Sequence, residues 1–207
     1  MKSKLGILFT IIGVVLLLGA ASLYSYNQYE QMKAAESVES LMPKLAEKIS
    51  ENMARETEVV FGESVTAETV AEELKREELP VVEIDGNGYI GVVSIGSLSL
   101  ELPVMADWSN EKLNIAPCVY SGDMINDDLV IMAHNYTKHF GMISELNEND
   151  TVKFTDMNGN TTSYRVVVTD VLSEMDIEDM TAGEYDLTLF TCNYDGKSRI
   201  TIRCERV

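Results

Sequence analysis

Leu187-Thr188-Leu189-Phe190-Thr191-Cys192 is an apolar, β-rich run that ends on a thiol, and six residues later Arg199-Ile200-Thr201-Ile202-Arg203-Cys204 repeats the same texture. Two such runs about a short polar connection predict an antiparallel hairpin. With the register symmetric about that connection, Cys192 lies across from Arg199 and Thr188 across from Arg203. At about 3.3 Å per residue the two arginines then stand about 13 Å apart along the strand, so only Arg199 is at the cysteine. Period-two alternation puts Ile200, Ile202 and Cys204 on one face, read as the core side, and Arg199, Thr201 and Arg203 on the other. Cys204 therefore reads as a packed apolar residue, and Cys192 as the thiol that needs an explanation.

Outward from the hairpin the same texture continues. Val81–Ile84, Tyr89–Ile95, Leu98–Leu102, Ala116–Tyr120, Leu129–Ala133, Thr151–Thr155 and Ser163–Thr169 are further strand candidates, with Asp85-Gly86-Asn87-Gly88 and Asp156-Met157-Asn158-Gly159 as turns. So many short strands after Pro80 define an all-β domain over residues 81–207, a barrel or a sandwich, with short helices near Asn110–Leu113 and Met142–Leu146.

The amino-terminal part is of another kind. Residues 1–4 carry Lys2 and Lys4, and Leu5–Leu23 is free of charge, long enough as a helix to span a bilayer's hydrocarbon core. The small residues Gly19-Ala20-Ala21-Ser22 would suit a signal peptidase, but the apolar run is longer than the roughly 7–15 residues of a signal's apolar region. A retained anchor is the better reading, and the lysines before it leave the amino terminus in the cytoplasm and the remainder outside. Tyr24, Tyr26 and Tyr29 follow at headgroup depth. Residues 24–80 read as a polar stalk, partly helical: 31–80 hold twelve acidic and six basic side chains, Pro43 interrupts the stretch, and Thr66 is a plausible N-cap for Ala67–Glu78.

The whole chain of 207 residues has a formal charge of −18, which argues against an electrostatic nucleic-acid binder. Four of the eight basic side chains of residues 81–207 nevertheless fall in the last eleven positions, Lys197, Arg199, Arg203 and Arg206, a local field that favours a thiolate at Cys192. Two histidines are available to partner it. His134 ends the apolar run Leu129–Ala133, at the rim where active-site residues are commonly mounted, whereas His139 sits in what reads as a loop, where truncation should matter little.

On these residues the chain resembles the sortases. Thr188-Leu189-Phe190-Thr191-Cys192 matches that family's Thr-Leu-x-Thr-Cys motif, Arg199 opens the next strand, and Ala133-His134 ends an earlier one. The order His, Cys, Arg, the domain length and the amino-terminal anchor agree, and the resemblance covers about residues 81–207. Papain-like proteases place the cysteine before the histidine and so fit worse.

The resemblance implies a closed eight-stranded barrel with a groove for a Leu-Pro-x-Thr-Gly-like (LPXTG-like) sorting signal. It implies a cysteine transpeptidase with Cys192 as nucleophile, His134 as proton carrier, Arg199 as donor to the substrate carbonyl, and Thr191 in contact with substrate. The acceptor would be an amine of a cell-wall precursor or of another protein, and the setting a Gram-positive-type envelope. The class stays open, since no Asp-Pro-aromatic lid precedes the barrel and the loop between Val168 and Leu187 is too short for the long helix of class B members.

Other readings remain beside this one: a tethered, non-catalytic β-domain that binds envelope proteins, and a hydrolase that releases rather than attaches them. No cofactor or metal site is indicated. Acidic residues crowd Asp123–Asp128 and Glu174–Asp179, places where some sortases bind calcium, but a solvated acidic loop is the better reading. Cys118 reads as a buried small hydrophobe, and Trp108 as packing or as the edge of a substrate groove.

Overall fold

The computed structural model describes residues 2–62, 79–194 and 196–207. The helix expected over Ala67–Glu78, with its cap at Thr66, lies outside them.

Nine strands follow the order in which the sequence offers them: β1 (Val82–Ile84), β2 (Asn87–Ile95), β3 (Leu100–Met105), β4 (Cys118–Ser121), β5 (Leu129–Ala133), β6 (Thr151–Asp156), β7 (Thr161–Ser173), β8 (Leu187–Cys192) and β9 (Ser198–Arg206). Eight of them close a ring in the order β2-β3-β4-β5-β8-β9-β7-β6, with β6 returning to β2, so the fold is the closed eight-stranded barrel. β1 is a short flap on the free part of β2, paired from Val82↔Tyr89 to Ile84↔Asn87. All neighbours are antiparallel except β3–β4 and β5–β8. Closure depends on Gly91, whose hydrogen faces β6; a Cβ there would meet the Thr155 carbonyl oxygen at 2.2 Å.

Alternation sorts the side chains as the period of two requires. The barrel interior is filled by Val93, Leu102, Val104, Ile131, Phe154, Leu189, Ile202 and their neighbours, including Cys204. A second cluster on the outer face of β2–β4 includes Tyr89, Val92, Met105 and Cys118. A third, outside β5, β7 and β8, consists of Val130, Leu172, Met180 and Phe190. Met180 belongs to α3 (Ile177–Met180), a single turn that covers this last patch; α2 (Asn110–Leu113), capped by Ser109, precedes β4.

The second cluster is completed by α1 (Lys2–Gly62). Part of the stretch read as a stalk therefore lies against the barrel. Ala34, Val38, Leu41 and Leu45 are spaced four, three and four residues apart, form one stripe, and are buried. The charged side chains that dominate the composition occupy the other faces. Gln31 meets Thr137 at one end of the contact, Lys44 pairs with Asp85 at 2.5 Å in the β1–β2 turn, and the Asn52 amide donates to the Met157 carbonyl at 2.8 Å. The docked stretch from Gln31 to Asn52 is about 30 Å long. Pro43 does not interrupt it; the helix runs through, because tertiary packing on both sides outweighs one missing hydrogen bond. Toward the amino terminus the side chains from Ile7 to Leu23 are largely exposed, and α1 is long and apolar enough to cross a membrane.

Candidate active site

The hairpin register is the one expected from symmetry: Thr188↔Arg203 and Cys192↔Arg199. The third member comes from a pairing that sequence proximity does not suggest. β5 runs parallel beside β8, from Leu129↔Leu187 to Ala133↔Thr191, so His134 and Cys192 are the next residues on one rung. Neighbouring strands are about 4.8 Å apart. His134, Cys192 and Arg199 thus stand side by side at the ends of β5, β8 and β9, on the outward face shared with Met132, Phe190 and Thr201.

Local structure holds each of them. After His134 the chain folds back tightly: Phe140 N–H donates to the His134 carbonyl at 3.1 Å, and the N–H groups of His139 and Gly141 both donate to Tyr136 at 2.9 Å. Gly141 is required there, since a Cβ would lie 2.6 Å from the Asn135 carbonyl oxygen. The Tyr136 ring packs on His134 at 4.8 Å between centroids. Burial holds His134 below the ordinary histidine pKa, which favours the neutral imidazole. Arg199 is half-buried and donates to the carbonyls of Ser198 at 3.1 Å and Gly196 at 3.4 Å. The connection it leans on is closed by Asn193, whose N–H donates to the Ser198 carbonyl at 2.9 Å.

From this rung the outward face continues down β5, β8 and β9. There lies the third cluster, extended by aromatic contacts: Phe190 meets Tyr120 edge-on at 5.2 Å, and Tyr120 meets Trp108 at 6.0 Å. Trp108, half-exposed, is the outermost ring of this series. Phe190 and Tyr120 went unremarked in the sequence because aromatic residues in strands are ordinarily core. Four residues below the rung a cavity of about 210 Å³ lies beneath the β7–β8 connection, with Thr188 and Arg203 in its wall.

Two expectations need correction. Thr191 does not face the groove. It is 1 % exposed, and its hydroxyl donates to the Ala133 carbonyl at 2.8 Å, pinning β8 to β5 behind the site. His139 lies in the turn after β5, as expected, but it is fully buried there, and among the described residues neither ring nitrogen is in hydrogen-bonding geometry with a partner. Burial, and secondarily the neighbouring His134, push its pKa down to about 4, with the Ile115 backbone pulling the other way. The positive field at Cys192 is also narrower than the count of basic residues suggests. Arg203 is buried lower on the strand, and Arg206 pairs with Asp127.

Cys118 and Cys204 are buried free thiols, each pushed up to about 12 by burial, and so are poor nucleophiles beside the partly exposed Cys192. The carboxylates of Asp123 and Asp128 cap their own turn: Asp123 accepts from the N–H groups of Ile125 and Asn126, and Asp128 from that of Asp123. Among the described residues no group of three or more His, Cys, Asp or Glu side chains is placed to hold a metal ion.

A closed barrel that brings a histidine, a cysteine and an arginine to one rung holds together the side chains that acyl transfer through a thiol would need. The family is fixed by comparison: residues 93–207 match the model of the Sortase domain, and the chain belongs to the sortase family. It is a sortase-type transpeptidase in that general sense. A comparison with curated proteins finds no match. Similar solved structures include sortase A from Corynebacterium diphtheriae, 20% identical over 91% of this chain and 95% of that one, TM-score 0.53. Sortase C from Streptococcus pneumoniae is 14% identical over 83% and 96%, TM-score 0.56. A sortase D5 transpeptidase from Clostridium perfringens is 15% identical over 85% and 99%, TM-score 0.55. At these identities the likeness is one of fold.

Proposed function

We propose that the chain is a membrane-anchored cysteine transpeptidase that cleaves an LPXTG-like sorting signal and joins the cut protein to an amine of a cell-wall precursor or of another protein. Leu5–Leu23 is its anchor, with the amino terminus in the cytoplasm and the barrel outside. The observation that carries the reading is the common rung of His134, Cys192 and Arg199 at the end of three neighbouring strands.

In the first half-reaction the Cys192 thiolate attacks the carbonyl carbon before the scissile bond. Arg199, permanently charged and rich in donors, stabilises the oxyanion. His134, neutral at rest, takes the proton of the Cys192 thiol as the thiolate forms and gives it to the departing nitrogen as the C–N bond breaks, leaving a thioester and a neutral imidazole. In the second, the acceptor ammonium yields one proton to His134 and its nitrogen attacks the thioester. The C–S bond breaks, the Cys192 thiolate takes the proton from His134, and the second proton passes to water. Both the histidine and the cysteine end as they began.

The test is turnover of fluorogenic Leu-Pro-x-Thr-Gly-like peptides by the full chain, with and without an amine acceptor, beside Cys192→Ala. Cleavage that depends on Cys192 and yields an amine adduct is expected. Cleavage without adduct would favour a releasing hydrolase, and cleavage retained by Cys192→Ala would overturn the assignment.

A further inference from the structure

The cleft onto which His134 opens has a far wall that the chemistry above leaves unused. That wall is α1. Tyr26 and Glu30, one helical turn apart on one face, look across about 410 Å³ at His134, Tyr136 and Tyr194. The two sides are tied by the Gln31–Thr137 hydrogen bond at 3.3 Å, and the buried Ala34, one turn further on, fixes the helix to the barrel.

Glu30 is only partly exposed and, among the described residues, forms no ion pair. It lies close enough to Tyr136 for its charge, after burial and ahead of Tyr26, to raise that phenol's pKa. The Tyr136 ring in turn touches His134. One aromatic ring therefore separates a carboxylate from the imidazole that would serve as base. A carboxylate among exposed aromatic faces is the chemistry that recognises a primary ammonium, by charge-assisted hydrogen bonding and cation–π attraction.

We propose that Tyr26 and Glu30 of α1, together with Tyr136 and Tyr194, form the binding site for the protonated amine acceptor, so that the helix leaving the anchor completes the enzyme. The proposal rests on the transpeptidase reading given above. The ammonium bound by Glu30 shares the cleft with neutral His134, which takes one of its protons as the nitrogen moves on to attack the Cys192 thioester. Counted from Leu23, the last residue of the proposed anchor, Glu30 lies about 10 Å along the helix. The site accordingly takes an amine presented close to the membrane surface.

The experiment uses the full chain in detergent micelles with a Leu-Pro-x-Thr-Gly-like peptide that the wild type cleaves. Two acceptors are compared below saturation near neutral pH: triglycine, which is largely an ammonium, and hydroxylamine, which is largely uncharged. The ratio of amine adduct to hydrolysis product is read by mass spectrometry. Glu30→Gln should lower the triglycine ratio about fivefold, the scale of one partly exposed charge pair, and Glu30→Lys should lower it further. The hydroxylamine ratio should change less than about twofold in both variants, since it offers no full charge for Glu30 to recognise. An unchanged triglycine ratio in both variants would overturn the proposal, as would an equal loss with both acceptors, which would mean that Glu30 acts on His134 and not on the ammonium. A wild type that forms no Cys192-dependent product would overturn the transpeptidase reading itself, and the acceptor site with it.

Discussion

Two rungs of the β8–β9 hairpin carry nearly the same pair of side chains and do different things. At the upper rung Cys192 faces Arg199; four residues below, Thr188 faces Arg203. Arg203 is 5 % exposed and its guanidinium is fully engaged in structure, donating to the carbonyls of Asp179 at 2.7 Å and Met180 at 3.3 Å and to the Thr188 hydroxyl at 3.1 Å. It fastens the β7–β8 connection over the third cluster. Arg199 leans on two carbonyls of its own turn, stays half-buried, and has a thiol and an imidazole beside it. An arginine opposite a small polar residue in a hairpin is thus a structural pin in one place and a candidate oxyanion donor in the other. What separates them is which neighbouring strand ends at that level.

That contrast can be broken by experiment. Cys192→Ala should abolish turnover and leave the melting temperature within about 2 °C of wild type, because a partly exposed thiol contributes little packing. Arg199→Ala should cost about 10²- to 10³-fold in turnover at similar stability, and Arg199→Lys should recover little, since an ammonium lacks the guanidinium fork. Arg203→Ala should behave oppositely. Urea unfolding should show a loss of about 3 kcal/mol, from two buried acceptors and one part-buried acceptor left without their donor, while turnover per folded molecule falls far less than in Arg199→Ala. If Arg203→Ala matched Arg199→Ala in turnover and stayed stable, the two rungs would not differ as described.

The histidines allow a milder version of the same comparison. His139, with its pKa pushed down to about 4 by burial, binds its proton less readily when folded than when unfolded. Its contribution to stability is therefore complete above about pH 6.5 and is lost as the pH falls toward 4, by up to about 3 kcal/mol. Urea midpoints measured across that window should fall for wild type and fall less steeply for His139→Phe. Equal slopes would show that His139 is not the buried neutral group described.

The contrast between the rungs was half legible in the sequence. Hairpin symmetry alone paired Cys192 with Arg199 and Thr188 with Arg203, and alternation assigned Cys204 to the interior. It could equally have removed Thr191 from the groove, since Thr191 and Cys192 must face opposite ways. The β5–β8 pairing is parallel and spans about sixty residues of chain, so no local pattern announces it; His134 stood out only by its place at the end of an apolar run, and the resemblance supplied its role. Strand limits shifted where partners extend them: β7 continues to Ser173 because Leu172 and Ser173 pair with Arg199 and Ser198. The docking of α1 was missed for another reason. Its buried stripe is Ala34, Val38, Leu41 and Leu45, four modest residues among charges, visible by helical phase and invisible in a count of composition.

The most direct test of the central claim is to quench the full chain early in its reaction with a cleavable sorting-signal peptide and map adducts by mass spectrometry. The account predicts the peptide's acyl group as a thioester on Cys192, accumulating in Arg199-intact enzyme without acceptor and discharged when an amine is added. Product formed with Cys192 unmodified at every time point, or an acyl group on Cys118 or Cys204 instead, would contradict it.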